Sequence, residues 1–149
     1  MNERNRLVPI LVADDDPDDR MLAREAFEES RLRNPVIFFE DGADLMDYLK
    51  RRGEYADRPE TPKPGLILLD LNMPKLSGRE ALEQIKSDPE LASHPVIILT
   101  TSKQEEDVLR SYQLGANSYI TKPVSFEEMA RVVREVGHYW IEIVELPPD

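Results

Sequence analysis

A few positions in this chain carry side chains that could do chemistry together. Asp14, Asp15 and Asp16 stand in a row. Asp70 follows an apolar run, Thr100 closes another, and Lys122 precedes Pro123. The chain has no cysteine, so a cluster built from these acids offers only oxygen, which favours Mg²⁺ or Mn²⁺ over zinc. A carboxylate is a poor nucleophile toward phosphorus unless cations screen its charge from the incoming phosphoryl oxygens. Asp70 is the candidate nucleophile. Asp14, Asp15 and Asp70 would hold the metal, with the backbone carbonyl of Asn72 completing the protein ligands. Lys122 would pair with a phosphoryl oxygen as a point charge, and the Thr100 hydroxyl would donate to another. Taken singly, each residue is bland: acids after a strand cap helices, threonine often ends strands, and a lysine is usually on the surface.

The elements that must position these residues are short apolar runs alternating with amphipathic stretches. Val8 to Ala13 is a strand candidate ending at the aspartates. The following helix is opened by Asp16 as cap, Pro17 in the first turn, and acids at its positive end. If the strand stops at Ala13, the metal-binding pair is Asp14 and Asp15 and Asp16 is the cap. If it runs one residue longer, the pair is Asp15 and Asp16. Val36 to Phe39 is a second strand, and Asp41 caps a helix that should stop at Gly53. Gly53 to Gly65, rich in Pro and charged residues such as Arg and Asp, reads as a surface loop. Leu66 to Leu69 is apolar on both faces, as a central parallel strand should be, and ends at Asp70.

A helix from about Arg79 to Ser87 leads to the two-faced strand Val96 to Leu99, which ends at Thr100. Ser102 with Glu105 forms a capping box for a helix ending near Gly115. Ser118 to Thr121 is a short strand before Lys122. A second box, Ser125 with Glu128, starts a last helix running to about Val144. Five strands alternating with five helices imply an open α/β fold, a doubly wound parallel sheet with helices on both faces. Sites in such sheets lie beyond the carboxyl ends of the strands, where Asp14, Asp15, Asp70, Thr100 and Lys122 all fall.

Composition bounds the rest. A chain of 149 residues makes a single domain with one real core, about 8–137, followed by a C-terminal helical extension over about 138–149. The apolar run near the amino terminus is too brief for a signal peptide or membrane span, so no membrane contact is expected. A cytoplasmic address fits the lack of cysteine. The formal net charge of −11 repels phosphate backbones and argues against binding nucleic acid.

Taken in order, these motifs resemble the receiver domain family of two-component response regulators. The matching residues are Asp14-Asp15 after the first strand, Leu69-Asp70-Leu71-Asn72-Met73-Pro74 with Gly78, Thr100 after the fourth strand, and Lys122-Pro123 after the fifth. Asp70 and Lys122 are 52 residues apart, a spacing similar to the family's. The resemblance implies a flavodoxin-like sheet of strand order 2-1-3-4-5, a sensor histidine kinase as phosphoryl donor, and a cis bond before Pro123. It also implies Thr100 and Tyr119 as switch residues, and a partner-binding surface on the fourth helix, fifth strand and fifth helix.

The long Gly53 to Gly65 loop and the ending His138-Tyr-Trp-Ile-Glu-Ile-Val-Glu-Leu-Pro147 resemble the small stand-alone regulators paired with bacterial phytochromes, and imply a bacteriophytochrome as the kinase. Trp140, Ile143 and Val144 are expected beyond the sheet, as an apolar interface for a homodimer through the last helix and tail. With no output domain expected, output would be a protein contact or onward phosphotransfer. Two other functions compete. An aspartate-nucleophile phosphatase would carry a second acid two residues after the nucleophile, where this chain has Asn72. A pseudo-receiver scaffold would not need Asp70, Thr100 and Lys122 together. His94 and His138 read as structural.

Overall fold

The computed structural model describes residues 8–57, 65–71, 73–100, 115–116 and 118–143. Five parallel strands, β1 (Ile10–Ala13), β2 (Val36–Phe39), β3 (Leu66–Asp70), β4 (Val96–Thr100) and β5 (Ser118–Thr121), form one sheet of order β2-β1-β3-β4-β5. Side chains alternate across each strand, and here both faces are covered. Leu11, Ala13, Ile67, Leu69, Val96 and Ile98 point into one core, while Ile10, Val12, Leu66, Leu68, Ile97 and Leu99 point into the other. That is why these strands read as unbroken apolar runs.

Helices α2 (Gly42–Leu49) and α3 (Gly78–Ser87) close the first core through Leu45, Met46, Ala81, Leu82 and Ile85. Helices α1 (Pro17–Glu29) and α4 (Phe126–Val136) close the second through Ala23, Ala26, Phe27, Met129, Val133 and Val136. The expected helix ending near Gly115, with its Ser102 and Glu105 capping box, lies outside the described residues.

Helix starts follow the sequence closely. The Asp16 carboxylate accepts from the Asp18 amide at 2.9 Å, the Asp41 carboxylate from Asp44 at 2.8 Å, and the Ser125 hydroxyl from Glu128 at 3.1 Å. Each satisfies an amide that the first turn leaves without an intrahelical partner. Ser77 and Glu80 form a reciprocal capping box on α3, a pairing the sequence reading does not include, and the helix begins one residue before the expected Arg79.

Helix ends depart from it. α2 stops at Leu49 and not at Gly53. Arg51 takes the left-handed conformation (φ 56°), the Arg52 amide donates to Asp47 O at 2.8 Å, and the Arg51 amide to Tyr48 O at 3.2 Å. This is a Schellman closure built without glycine, which a search for glycine overlooks. Gly53 instead opens a 3₁₀ turn over Gly53–Tyr55. Tyr55 is not a free loop residue: its ring packs edge-on to Tyr48 at 5.3 Å and its hydroxyl donates to Asp44 at 3.1 Å. At the carboxyl end, α4 gives way to a π-helical segment, Gly137–Ile143. Trp140 corrects the expectation of an apolar residue beyond the sheet, because it is partly buried against the second core. Tyr139 is the exposed aromatic there. Val144 lies outside the described residues.

Candidate functional site

β1 ends at Ala13, which settles the register of the three aspartates: Asp14 and Asp15 follow the strand, and Asp16 caps α1. β1 and β3 are neighbours, with Ala13 opposite Leu69, so Asp14 and Asp70 emerge side by side from the carboxyl edge. Carboxylate oxygens of Asp14, Asp15 and Asp70 all lie within 4.8 Å of one another. Asp14 and Asp70 are each 5% exposed, while Asp15 faces solvent. Such a set of hard oxygen donors, two buried and one open, fits a divalent cation that keeps part of its water.

β5 delivers Lys122 to the same edge. Its Nζ lies 2.7 Å from Asp14 Oδ2, 2.7 Å from Asp19 Oδ2 and 3.3 Å from Asp70 Oδ2. The lysine is 7% exposed, and an ammonium so enclosed persists only because it is paired. Burial alone would lower its pKa, but the Asp14 and Asp19 carboxylates outweigh that and hold it above its ordinary value. Asp14 moves the other way from the usual paired acid. Its burial raises its pKa above 3.8, against the lowering effects of Lys122 and of the Asp16 amide, which donates to Asp14 Oδ1 at 2.9 Å.

The backbone around the cluster is fixed by neighbouring elements. The Asp14 amide donates to Phe39 O at 3.0 Å, and Arg20 Nη1 donates to Asp14 O at 2.7 Å. The Gly78 amide donates to Leu71 O at 2.9 Å. A Cβ built on Gly78 would stand 1.9 Å from Asp70 O, so only glycine lets α3 start this close to the strand end. Lys75 completes the loop in a left-handed conformation (φ 64°), its amine 3.6 Å from the α2 cap Asp41.

Of the residues singled out by sequence, the structure brings together Asp14, Asp15, Asp70 and Lys122. Thr100 ends β4 and Tyr119 lies in β5, but their side chains lie outside what is described, as does Asn72. Pro123 is buried directly after Lys122. His94 is buried beyond α3 and His138 is exposed beyond α4, both away from the acidic cluster. Asp19 was missed. Its only sequence signal was a place in the first turn of α1, three residues past the cap, where an acid is expected anyway for the helix dipole.

An aspartate cluster and a buried lysine at the carboxyl edge of a doubly wound parallel sheet define the class. The chain belongs to the response regulator receiver domain family, which it matches over residues 10–134. It is 40% identical over 146 residues to response regulator Rcp1 of Synechocystis sp., covering 98% of this chain and 97% of that one. The structure of the Mn²⁺-bound form of Rcp1 superposes with a TM-score of 0.84, covering 94% of this chain and 99% of that one. The phosphorylated cyanobacterial phytochrome response regulator RcpA is similar at 40% identity and a TM-score of 0.86, over 95% and 99% of the two chains. RPA3017, a response regulator in red light signaling of R. palustris, is similar at 32% identity and a TM-score of 0.87, over 96% and 100%. These likenesses agree with the phytochrome-type resemblance read from the His138 to Pro147 ending and the loop after α2. Among the described residues, no helix is long and apolar enough to cross a membrane.

Proposed function

We propose that Asp70 is the phosphoacceptor of a receiver whose donor is a sensor histidine kinase of the bacteriophytochrome type. The observation that carries this is the meeting of Asp14, Asp15 and Asp70 with the Lys122 ammonium at one strand edge. An Asp70 carboxylate oxygen attacks phosphorus, and the new O–P bond forms as the bond from phosphorus to the donor nitrogen breaks. The histidine leaves with the electron pair. Asp14, Asp15 and Asp70, with the Asn72 carbonyl, would hold Mg²⁺ or Mn²⁺, which supplies positive charge to the phosphoryl oxygens when bound. Lys122 supplies a second positive charge to the phosphoryl oxygens, and the Thr100 hydroxyl donates to a remaining oxygen. Tyr119 reports the change to the surface formed around β5 and α4. The Mn²⁺-bound and phosphorylated relatives support this reading.

The chain acts in the cytoplasm as a single receiver domain, a signalling protein and not an enzyme acting on outside substrates. It pairs with a second copy through α4 and the residues after it, where Tyr139 is 53% exposed. Titration of beryllofluoride, a phosphoryl mimic, tests the site directly. Heat of binding that requires Mg²⁺ and vanishes in Asp70→Asn is the expected result. No binding under either condition would favour the scaffold reading, and steady turnover of a phosphoester would favour a phosphatase.

A further inference from the structure

The Lys122 ammonium has three N–H donors and meets three carboxylates. Two of them have roles in the reading above: Asp14 belongs to the metal-binding group and Asp70 is the nucleophile. The third, Asp19, belongs to neither, yet its Oδ2 sits as close to the amine, at 2.7 Å, as any partner it has. The distance to Asp70 Oδ2 is the longest of the three, at 3.3 Å. The lysine is therefore drawn toward α1 and away from the carboxylate it must serve.

We propose that Asp19 is a positioning residue that restrains the Lys122 ammonium in the resting protein, so that its release governs how fast Asp70 is phosphorylated. The inference rests on Asp70 being the phosphoacceptor.

Three observations set the sign. First, a cation beside Asp14, Asp15 and Asp70 answers the charge of those acids, but Asp19 lies outside that group and keeps its hold on Lys122. Second, the Asp19 side chain is 27% exposed against 7% for Lys122, so the carboxylate has a route to water that the amine lacks. Third, Asp19 lies in the first turn of α1, where the helix dipole keeps a freed carboxylate charged, so the restraint amounts to the one charge-assisted hydrogen bond that breaks. Release then frees one N–H for a phosphoryl oxygen. The arriving phosphoryl group also brings negative charge toward Asp19, so loss of that carboxylate favours transfer twice over.

The test compares the full chain with Asp19→Asn and Asp19→Glu, using acetyl phosphate at saturating Mg²⁺. The phosphoryl group moves to Asp70 as the P–O bond to acetate breaks, and the rate is read by intact mass. Asp19→Asn should speed phosphorylation by about tenfold, the weight of one charge-assisted hydrogen bond. Asp19→Glu should restore a slow rate. If the Asn variant does not fold, Asp19→Ser gives the same comparison. A second readout is independent of phosphorylation: the ¹⁵N ammonium signal of Lys122 in metal-free protein should shift and exchange faster in Asp19→Asn. An unchanged or slower rate in Asp19→Asn overturns the proposal, and so does an unchanged Lys122 signal. A shifted signal in a protein that takes no phosphoryl group from any donor overturns the phosphoacceptor reading, and the inference with it.

Discussion

Asp14 sits where two demands conflict. Burial favours its neutral form, and its service beside Lys122 and a cation needs the charged one. In metal-free protein burial prevails and its folded pKa lies above 3.8. An acid whose pKa is raised on folding binds more protons folded than unfolded between those two values. Stability then falls as pH rises through that window and is regained as pH falls back through it. We expect metal-free protein to gain stability relative to Asp14→Asn as pH falls from neutral toward the window, by chemical unfolding at each pH. Saturating Mg²⁺ should flatten the difference, because a liganding carboxylate stays ionised. A metal-free difference that grows with rising pH would contradict the burial argument.

At this scale the sequence was legible where strand ends supplied the residue. Asp14, Asp15, Asp70 and Lys122 each lie at the carboxyl end of a strand or within two residues past it, so the fold alone brings them together. Asp19 was not legible, because an acid in a first helical turn has a sufficient local explanation.

Strand positions were read almost to the residue, because β1, β3 and β4 are buried on both faces and leave no doubt about where they lie. Helix ends were harder. The termination of α2 at Arg51 uses a residue that adopts the left-handed region at a cost of roughly 1–2 kcal/mol, and nothing in its side chain announces it. The described residues between β3 and α3 are tied to both flanking helices. The Gly42 amide donates to Leu76 O at 3.1 Å, and the Gly78 amide to Leu71 O at 2.9 Å. Gly78→Ala would press a methyl group against Asp70 O and move the nucleophile. Its melting temperature should fall and its rate of phosphorylation should drop by up to about a hundredfold, the cost of misplacing a reacting group by about 1 Å. Ser77→Ala, by contrast, removes only a cap worth about 1 kcal/mol and should leave the rate within about twofold. Equal losses of rate in the two variants would show that general destabilisation, and not the position of Asp70, controls it.

Across the whole molecule, a formal charge of −11 and a cluster of acids at one edge suit a protein that gathers a cation and meets other proteins. The apolar end of the chain is where sequence and structure differ most. The sequence reading places Trp140 beyond the sheet. The π-helical segment carries it partly back against the second core, where its ring meets Tyr139 edge-on at 5.0 Å, and leaves Tyr139 in solvent. A second copy docking there would cover Tyr139. Light scattering at tens of micromolar should give the mass of a dimer, and Tyr139→Glu should shift it toward monomer. A monomeric wild-type mass, with and without beryllofluoride, would exclude this interface.

The proposed phosphoryl transfer to Asp70 depends on a divalent cation. Intact mass after incubation with acetyl phosphate and Mg²⁺, beside Asp70→Asn and a chelated control, tests it most directly. One phosphoryl adduct on the wild type, absent from the variant and from the chelated sample, is the predicted result. An adduct of equal yield on Asp70→Asn would contradict the account.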